Sequence, residues 1–178
     1  AATGISSFVH HEVEGLLDVM ENAADAWEQP LTRERLCAWQ AALFPGASTL
    51  RDIVVGEYRS GADPMQILSG PHGRERVHYQ AVAGAAVRAE MHAFLDWFNG
   101  TAEVDGLLRA GLAHVWFESV HPFEDGNGRV GRAVVDLALA QDARRSSRLL
   151  GISAAMRRRQ DDYYDALNNA QRGNGDVT

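Results

Sequence analysis

A histidine, two carboxylates, a glycine-rich turn and two arginines lie within one stretch of this 178-residue chain, Ser119-Val120-His121-Pro122-Phe123-Glu124-Asp125-Gly126-Asn127-Gly128-Arg129-Val130-Gly131-Arg132. Gly126 and Gly128 lack a Cβ atom, so the backbone around Asn127 can turn tightly and present successive N–H groups to an anion. An apolar run begins directly afterwards, which predicts that this turn lies at the N-terminus of a helix. The free N–H groups and the macrodipole of a helix N-terminus both favour negative charge, so the stretch predicts a phosphate site.

Two arginines support this interpretation. Arg129 and Arg132 are three residues apart and therefore share one face of the predicted helix. Positive charge near a helix N-terminus opposes the dipole, so this placement makes most sense if an anion lies between the two guanidiniums. Their planar forks suit phosphate oxygens in bidentate geometry.

The same stretch carries a proton acceptor and a metal ligand. Neutral imidazole is well suited to take a proton from a hydroxyl near pH 7, which makes His121 the candidate base. Mg²⁺ commonly takes one or two carboxylates together with substrate phosphates, and Asp125 adjoins the predicted phosphate turn. Neighbouring side chains point in different directions, so only one of Glu124 and Asp125 can face the turn. Asp125 is favoured because it is directly next to the turn. A lone histidine before a glycine-rich loop is more often structural, but the joint pattern favours a functional site.

The stretch from His121 to Arg132 resembles the Fic-domain motif H-P-F-x-[D/E]-G-N-G-[K/R]-x-x-R at every fixed position. The resemblance implies an all-α fold, a helical bundle with one β-hairpin flap over the active site. It also implies a protein adenylyltransferase that moves AMP from ATP to a Ser, Thr or Tyr hydroxyl, with His121 as the catalytic base and Mg²⁺ on Asp125. The nucleotide-binding residues that it implies within the motif are Asp125, Gly126, Asn127, Gly128, Arg129, Val130, Gly131 and Arg132.

Two alternatives to AMP transfer remain open. Some proteins that share the motif transfer phosphate, UMP or phosphocholine, although the kinase-like branch usually departs from the Gly-Asn-Gly turn kept here. A non-catalytic module that binds ATP and a peptide is the other alternative. The intact histidine counts against that module, because a pure binder needs no base.

Composition sets broad limits. With 46% hydrophobic residues, a single Fic-like domain over residues 1–178 is expected, either as a whole chain or as a domain excised from a longer one. Its expected parts are N-terminal helices (1–50), a hairpin region (51–80), helices flanking the motif (81–142) and C-terminal helices (143–178). The net charge of −7 argues against general nucleic-acid or membrane-surface binding. A lone cysteine permits a reducing compartment, and we expect a cytoplasmic protein.

The region before residue 80 predicts a hairpin. Residues 65–68 and 76–79 read as two short strands joined by a longer loop at 69–75. An isolated hairpin is usually a structural excursion, but in proteins that carry this motif it is a flap that aligns the target by strand addition. The resemblance therefore implies that the target docks on the residues Met65, Gln66, Ile67 and Leu68.

Helical spacing of apolar residues predicts the remaining elements. The expected helices cover residues 8–28, 32–43, 81–98, 105–119 and 153–171. In the first helix, Val9, Val13, Leu16, Leu17, Met20 and Ala24 follow this spacing. In the fourth helix, the predicted inward side chains are Leu107, Leu108, Leu112, Val115 and Trp116. His114 on that helix is assigned no role, because a packed histidine is the commoner case.

The last predicted helix carries two further candidate nucleotide-binding residues, and an inhibitory motif is not found in the sequence. Similar chains carry a Y-Y-x-x-L segment whose polar neighbour meets the nucleoside, which implies nucleotide-binding roles for Tyr164 and Gln171. Many are also inhibited by an [S/T]-x-x-x-E-[G/N] helix, and neither Glu14-Gly15 nor Glu21-Asn22 fits that pattern. The resemblance therefore implies that an inhibitory glutamate, if there is one, comes from a missing segment or an antitoxin-like partner.

Overall fold

The protein is described here by a computed structural model that covers residues 2–45, 53–69, 76–101, 104–146, 155–156 and 158–172. The elements follow in the order α1 (Ala2–Asp25), α2 (Arg33–Ala42), β1 (Pro64–Ser69), β2 (Arg76–Ala83), α3 (Gly84–Gly100), α4 (Gly106–Val120), α5 (Asn127–Ala143) and α6 (Gln160–Arg172). The fold is helical with one antiparallel hairpin, which confirms the predicted fold class. No helix in the described ranges is both long enough and apolar enough to cross a membrane.

The core lies where α4 and α5 pack together, with α1, α2 and α3 around them. Four phenylalanines are fully buried there, namely Phe94, Phe98, Phe117 and Phe123. Burying one such side chain contributes about 1.5–3 kcal/mol. Phe123 belongs to the motif rather than to a helix, so the core itself anchors the loop between α4 and α5.

The first helix ends at Asp25, three residues before the predicted position. Arg35 in α2 explains this end, because its guanidinium donates to the carbonyl oxygens of Asn22 at 2.8 Å, Ala26 at 3.1 Å and Gln29 at 2.9 Å. The carbonyls of Asn22 and Ala26 also accept the N–H groups of Ala26 and Gln29, both at 3.1 Å, so Arg35 reinforces the turn that follows α1. The second helix begins as predicted, with the Thr32 hydroxyl accepting from the Arg35 N–H at 3.2 Å.

The predicted buried stripe of α1 is partly wrong. Leu17 is 53% exposed and Met20 is 40% exposed, whereas Val19 is buried. The close crossing of α1 over α2 sets this rotation, because Gly15 lies against the backbone of Ala42, leaving no room for a Cβ atom. Gly15 in the Glu14-Gly15 pair therefore serves helix packing.

The hairpin agrees with the prediction in position and is longer than predicted. β1 and β2 pair antiparallel from Pro64 opposite Ala83 to Ser69 opposite Arg76, with register shifts between Pro64 and Gln66 and between Ile67 and Leu68. Because residues 81–83 extend β2, α3 begins at Gly84 rather than at 81. The predicted connecting loop lies mostly outside the described residues. β2 contacts α3, α4 and α6, and β1 forms the outer strand of the described hairpin.

The predicted inward face of α4 is partly wrong, because Trp116 packs against the core as predicted, whereas the two leucines at the start of the helix do not face inward. Leu107 is 73% exposed and Leu108 is 49% exposed, while the polar residues His114 and Glu118 are 5% and 6% exposed. Small residues on the opposite face, including Ala113, allow the neighbouring helices to approach closely. This orientation turns the polar side chains of α4 toward α5 and the site described below.

Candidate functional site

The candidate base, His121, is the C-cap residue of α4 and directly follows the last helical residue. Its backbone is left-handed (φ 51°, ψ 63°), which is uncommon for a residue other than glycine. Its N–H donates to the Phe117 carbonyl at 2.9 Å, and Pro122 then directs the chain away from the helix. The end of the helix thus fixes the position of the backbone that carries the imidazole.

Arg59, which precedes the hairpin, holds this helix end in place. Its side chain donates to the carbonyl oxygens of His121 at 2.6 Å, Val120 at 2.9 Å and Val82 at 2.7 Å. Its own N–H donates to the Pro122 carbonyl at 2.8 Å. Arg59 is only 6% exposed, so these bonds are made out of water and tie β2 to the end of α4.

The His121 ring is mostly buried, with 18% of its side chain exposed. Its Nδ1 atom is fully covered, so a substrate can reach the ring only at the edge that carries Nε2. Burial is the main cause that lowers the pKa of His121 to about 4; the Glu118 backbone and Asp125 act to raise this pKa, and Arg59 acts to lower it. The imidazole is therefore neutral at pH 7 and able to accept a proton.

Asn127 organises the motif loop, residues 121–126, from below. Its Oδ1 accepts from the Phe123 N–H at 2.9 Å, and its Nδ2 donates to the Phe123 carbonyl at 2.7 Å. Asn127 is 2% exposed, and both polar atoms of its side chain are bonded to the Phe123 backbone. Asn127 can therefore meet a nucleotide only through its backbone N–H.

The turn into α5 has the geometry predicted for an anion site. Gly126 is left-handed (φ 87°), and its carbonyl accepts from the N–H groups of Arg129 and Val130, both at 3.0 Å. A Cβ atom at Gly126 would lie 3.2 Å from the Phe44 ring, so space as well as conformation favours glycine. The first N–H groups of α5 have no acceptor within the helix and remain available to an anion.

The two neighbouring carboxylates have different environments. Glu124 accepts from the Val54 N–H at 2.8 Å and so ties the loop to the preceding segment. The Asp125 side chain is 49% exposed, accepts from the Gly126 N–H at 2.5 Å and lies 3.9 Å from the Arg129 guanidinium. Among the described residues no group of three or more His, Cys, Asp or Glu side chains could hold a metal ion.

The two motif arginines line an open pocket of about 260 Å³ between α1, α5 and α6. Arg129 stacks over the Phe44 ring at 4.9 Å, while Arg132 borders the pocket together with Asp136. Burial raises the pKa of Asp136 to about 6, against the lowering effect of Arg132. Tyr164 of α6 also lines this pocket, so the structure brings it together with both arginines.

Two motif residues are used for packing instead of for facing a ligand. Val130 is fully buried in the core. Gly131 lies against α4 so closely that a Cβ atom there would meet Glu118 Oε1 at 2.5 Å and the Phe117 ring at 3.3 Å. The predicted nucleotide contacts of Val130 and Gly131 therefore could not involve their side-chain positions.

The other predicted site residues have varied positions. Gln171 is partly buried on α6, and its Nε2 atom has no hydrogen-bond partner among the described residues. Met65 and Gln66 lie on the outer strand β1, half-buried and exposed respectively. Ile67 and Leu68 continue the same strand.

The sequence analysis missed three buried polar residues, Gln40, Arg59 and Glu118, which we call the buried polar frame. Gln40 is fully buried, donates to the Asp125 carbonyl at 3.3 Å and accepts from the Gly56 N–H at 2.6 Å. Glu118 lies beneath His121, with its Oε2 atom 3.7 Å from Nδ1. Only Glu118 carried a local signal, since a charged residue three positions before the candidate base lies near it on a helix.

The chain belongs to the Fic/DOC family, whose model matches residues 30–139. It is 32% identical over 79 residues to a probable protein adenylyltransferase of Aquifex aeolicus, which covers 44% of this chain and 22% of that protein. It is 35% identical over 63 residues to the protein adenylyltransferase fic-1 of Caenorhabditis elegans, which covers 34% of this chain and 12% of that protein.

Solved structures show the same fold. A Fic family protein from Desulfovibrio desulfuricans superposes with a TM-score of 0.68 at 28% identity, over 94% of this chain and 47% of that one. A Fic domain-containing signalling protein from Bacteroides thetaiotaomicron gives a TM-score of 0.66 at 22% identity, over 90% of this chain and 56% of that one. The chain thus spans about half the length of these structural relatives.

Proposed function

We propose that this chain is a protein adenylyltransferase that transfers AMP from ATP to a hydroxyl side chain of a target protein. The observation that carries the proposal is the neutral, one-edge-accessible imidazole of His121 beside the left-handed Gly126 turn at the start of α5. The names of the Aquifex and Caenorhabditis relatives support the same chemistry.

The reaction follows from these groups. The target hydroxyl oxygen forms a bond to the α-phosphorus of ATP while its proton passes to His121 Nε2. The bond between that phosphorus and the oxygen bridging to the β-phosphate breaks, and pyrophosphate leaves with the electron pair. The backbone N–H groups of Asn127 and Gly128 and the guanidiniums of Arg129 and Arg132 would stabilise the charge on the phosphate oxygens. Such electrostatic stabilisation is usually the largest catalytic contribution.

Mg²⁺ fits the site as a partner of the nucleotide. Asp125 offers a half-exposed carboxylate beside the phosphate turn, and Mg²⁺ usually binds through few carboxylates together with phosphates and water. When bound, Mg²⁺ would supply charge neutralisation for the leaving pyrophosphate. Glu124 is already occupied by the Val54 N–H, which supports Asp125 as the ligand.

The hairpin supports a docking mode for the target. β1 is the outer strand of the described hairpin, and Arg59 links the end of β2 to His121. A target segment added along Met65 to Leu68 would gain backbone hydrogen bonds at that edge, as strand addition requires. Such a segment would bring its hydroxyl toward the exposed edge of the imidazole.

The experiment is a comparison of labelled nucleotides. The chain is incubated with Mg²⁺, a cell lysate and ATP labelled at either the α- or the γ-phosphate, or UTP labelled at the α-phosphate, and labelled proteins are measured by intact mass. AMP transfer predicts label from α-labelled ATP and a mass increase of one adenylyl group. Chain-dependent label from γ-labelled ATP or from UTP, above that of the lysate alone, or nucleotide binding without any transfer, would contradict the proposal.

A further inference from the structure

A line of polar side chains runs along the buried face of α4. His114, Glu118 and His121 are spaced by four and three residues, so they share one face of the helix. His114 and Glu118 are 5% and 6% exposed, and His121 closes the line at the helix end. Burying three titratable groups in a row lowers stability unless they are paired. Such groups are typical of functional sites.

Within this line, several polar atoms lack hydrogen-bond partners. The buried atoms Glu118 Oε1, His114 Nδ1 and His121 Nδ1 have no partner among the described residues. His114 Nε2 lies 2.9 Å from the Tyr163 hydroxyl, so one of its two ring nitrogens is bonded. At the other end of the line, Glu118 and the covered edge of His121 both have unused hydrogen-bonding capacity.

The carboxylate of Glu118 lies between α4 and α5, against His121 and Gly131. Its Oε2 atom is 3.7 Å from His121 Nδ1, and its Oε1 atom occupies the space where a Cβ atom of Gly131 would lie. Glycine at 131 thus leaves room for a carboxylate directly beneath the imidazole. A separation of 3.7 Å is longer than a hydrogen bond, but contacts of this kind often tighten when substrate binds.

We propose that Glu118 is a positioning residue that keeps the His121 proton on Nδ1 and so leaves Nε2 free to act as the base. The proposal rests on the proposed function, because it explains how the transferase base is kept in its active form. A carboxylate can only accept, so it selects the ring form that donates from Nδ1. After proton transfer to Nε2, the same carboxylate stabilises the imidazolium cation, as the acidic member of a hydrolase triad does.

The charged and titratable groups around Glu118 and His121 determine how the protonation of these two residues depends on pH. Glu118 faces His114 and His121 on its own helix, Arg132 on α5 and Tyr163 on α6. Arg59 and Asp125 act on His121 from the other side. Burial raises the pKa of Glu118 to about 7, and Arg132 opposes this. Activity should therefore fall as the pH decreases through about 7, well above the pH at which His121 alone would be protonated.

The state of His121 can be measured directly, without any transfer reaction. Imidazole ¹H–¹⁵N correlation spectra distinguish the Nδ1–H form from the Nε2–H form, and a His121→Asn spectrum identifies the signal among the 7 histidines. We expect the Nδ1–H form in the wild type at pH 8. Glu118→Gln keeps an acceptor oxygen and should retain it, whereas Glu118→Met removes the acceptor and should shift the ring toward Nε2–H.

Two results would overturn the proposal. A wild-type His121 in the Nε2–H form at pH 8 would do so even if Glu118→Met did not fold. An unchanged Nδ1–H form in Glu118→Met would do so as well, because the backbone of Glu118 would then suffice to hold the proton.

Transfer rates provide the second readout. Relative to the wild type, Glu118→Met should slow AMP transfer about 10- to 100-fold, less than the full effect of losing a general base, with ATP affinity unchanged. Glu118→Gln should slow transfer less and abolish the decline near pH 7. Equal rates and identical pH profiles in all three proteins would overturn the positioning role. If the wild type transfers nothing, the proposed function fails, whereas the spectra still decide the role of Glu118.

Discussion

The motif loop and the buried polar frame are built in opposite ways. The loop carries its reactive groups within a few consecutive residues, and Asp125 remains half-exposed for a ligand. The frame brings Gln40 to Asp125 across 85 positions of sequence and Arg59 to His121 across 62, in fully or nearly buried surroundings. The loop supplies the chemistry, and the frame fixes the geometry in which that chemistry can occur.

Removing the base tests the loop most severely. His121→Ala should reduce AMP transfer by about 10²- to 10⁴-fold, the range typical of a lost general base. Because the phosphate turn starts at Gly126 and does not use the imidazole, ATP binding measured by calorimetry should be retained. Transfer at the wild-type rate in this variant would show that another group takes the proton.

Removing the guanidinium of Arg59 should affect the frame most. Arg59→Met leaves the carbonyl groups of Val82, Val120 and His121 without their donors, and each buried unsatisfied group costs about 1–3 kcal/mol. We expect the free energy of unfolding to fall by about 3 kcal/mol or more. Denaturant titration measures this loss, and transfer should decline with it because the end of α4 is no longer held.

Arg35→Met is the matched control for this variant. Arg35 also binds several backbone carbonyl groups, but these belong to the last turn of α1 and to the residues that follow it. The control should therefore lower stability while leaving ATP binding and transfer close to the wild type. Equal losses of transfer in the two variants would mean that Arg59 acts through overall stability alone.

Two adjacent carboxylates separate ligand binding from loop anchoring. Asp125→Asn removes the proposed Mg²⁺ ligand and should weaken Mg²⁺-dependent ATP binding about tenfold or more, since a lost charged contact costs about 1.5–3 kcal/mol. Glu124→Gln keeps an oxygen for the Val54 N–H and should bind ATP almost normally. Calorimetry with and without Mg²⁺ measures both, and a larger effect from Glu124→Gln would reverse the assignment.

The sequence predicted the helical fold, the hairpin, the Thr32 helix start and the turn at Gly126, because each depends on neighbouring residues. It also identified the family, since the motif occupies consecutive positions. The end of α1 was misplaced by three residues, because the chain turns at Ala26, whose carbonyl accepts from the Gln29 N–H and from Arg35 of the next helix.

The buried face of α4 could not be predicted in the same way. Apolar residues occur on every side of this helix, so periodicity could not choose between Leu107 and the face that carries Ala113. Close packing against Gly131 of α5 made that choice, and it buried Glu118, an outcome that a hydrophobicity pattern opposes. Contacts between distant residues, such as Gln40 with the motif loop, left no local pattern at all.

Glu118 connects the two regions, because it belongs to the buried polar frame and lies beneath His121 of the motif loop. Its pKa is raised by burial from 4.5 to about 7, so between these values the folded protein binds more protons than the unfolded chain. The stability that comes from this group is therefore complete below pH 4.5 and is lost as the pH rises through 7. Glu118→Gln does not titrate, so its stability relative to the wild type should increase by roughly 1–3 kcal/mol between pH 5 and pH 8.

Denaturant titrations of both proteins at the two pH values measure this difference. The pKa values of His114 and His121 are lowered mainly by burial, to about 4, and their contribution has the opposite sign. Both histidines are present in the wild type and in Glu118→Gln, so their own titration largely cancels in the comparison. A constant difference between pH 5 and pH 8 would mean that the carboxyl group titrates alike in the folded and unfolded chains. A glutamine that is more stable at pH 8 yet supports slower transfer would show that the folded state retains an ionised carboxylate for the sake of the base.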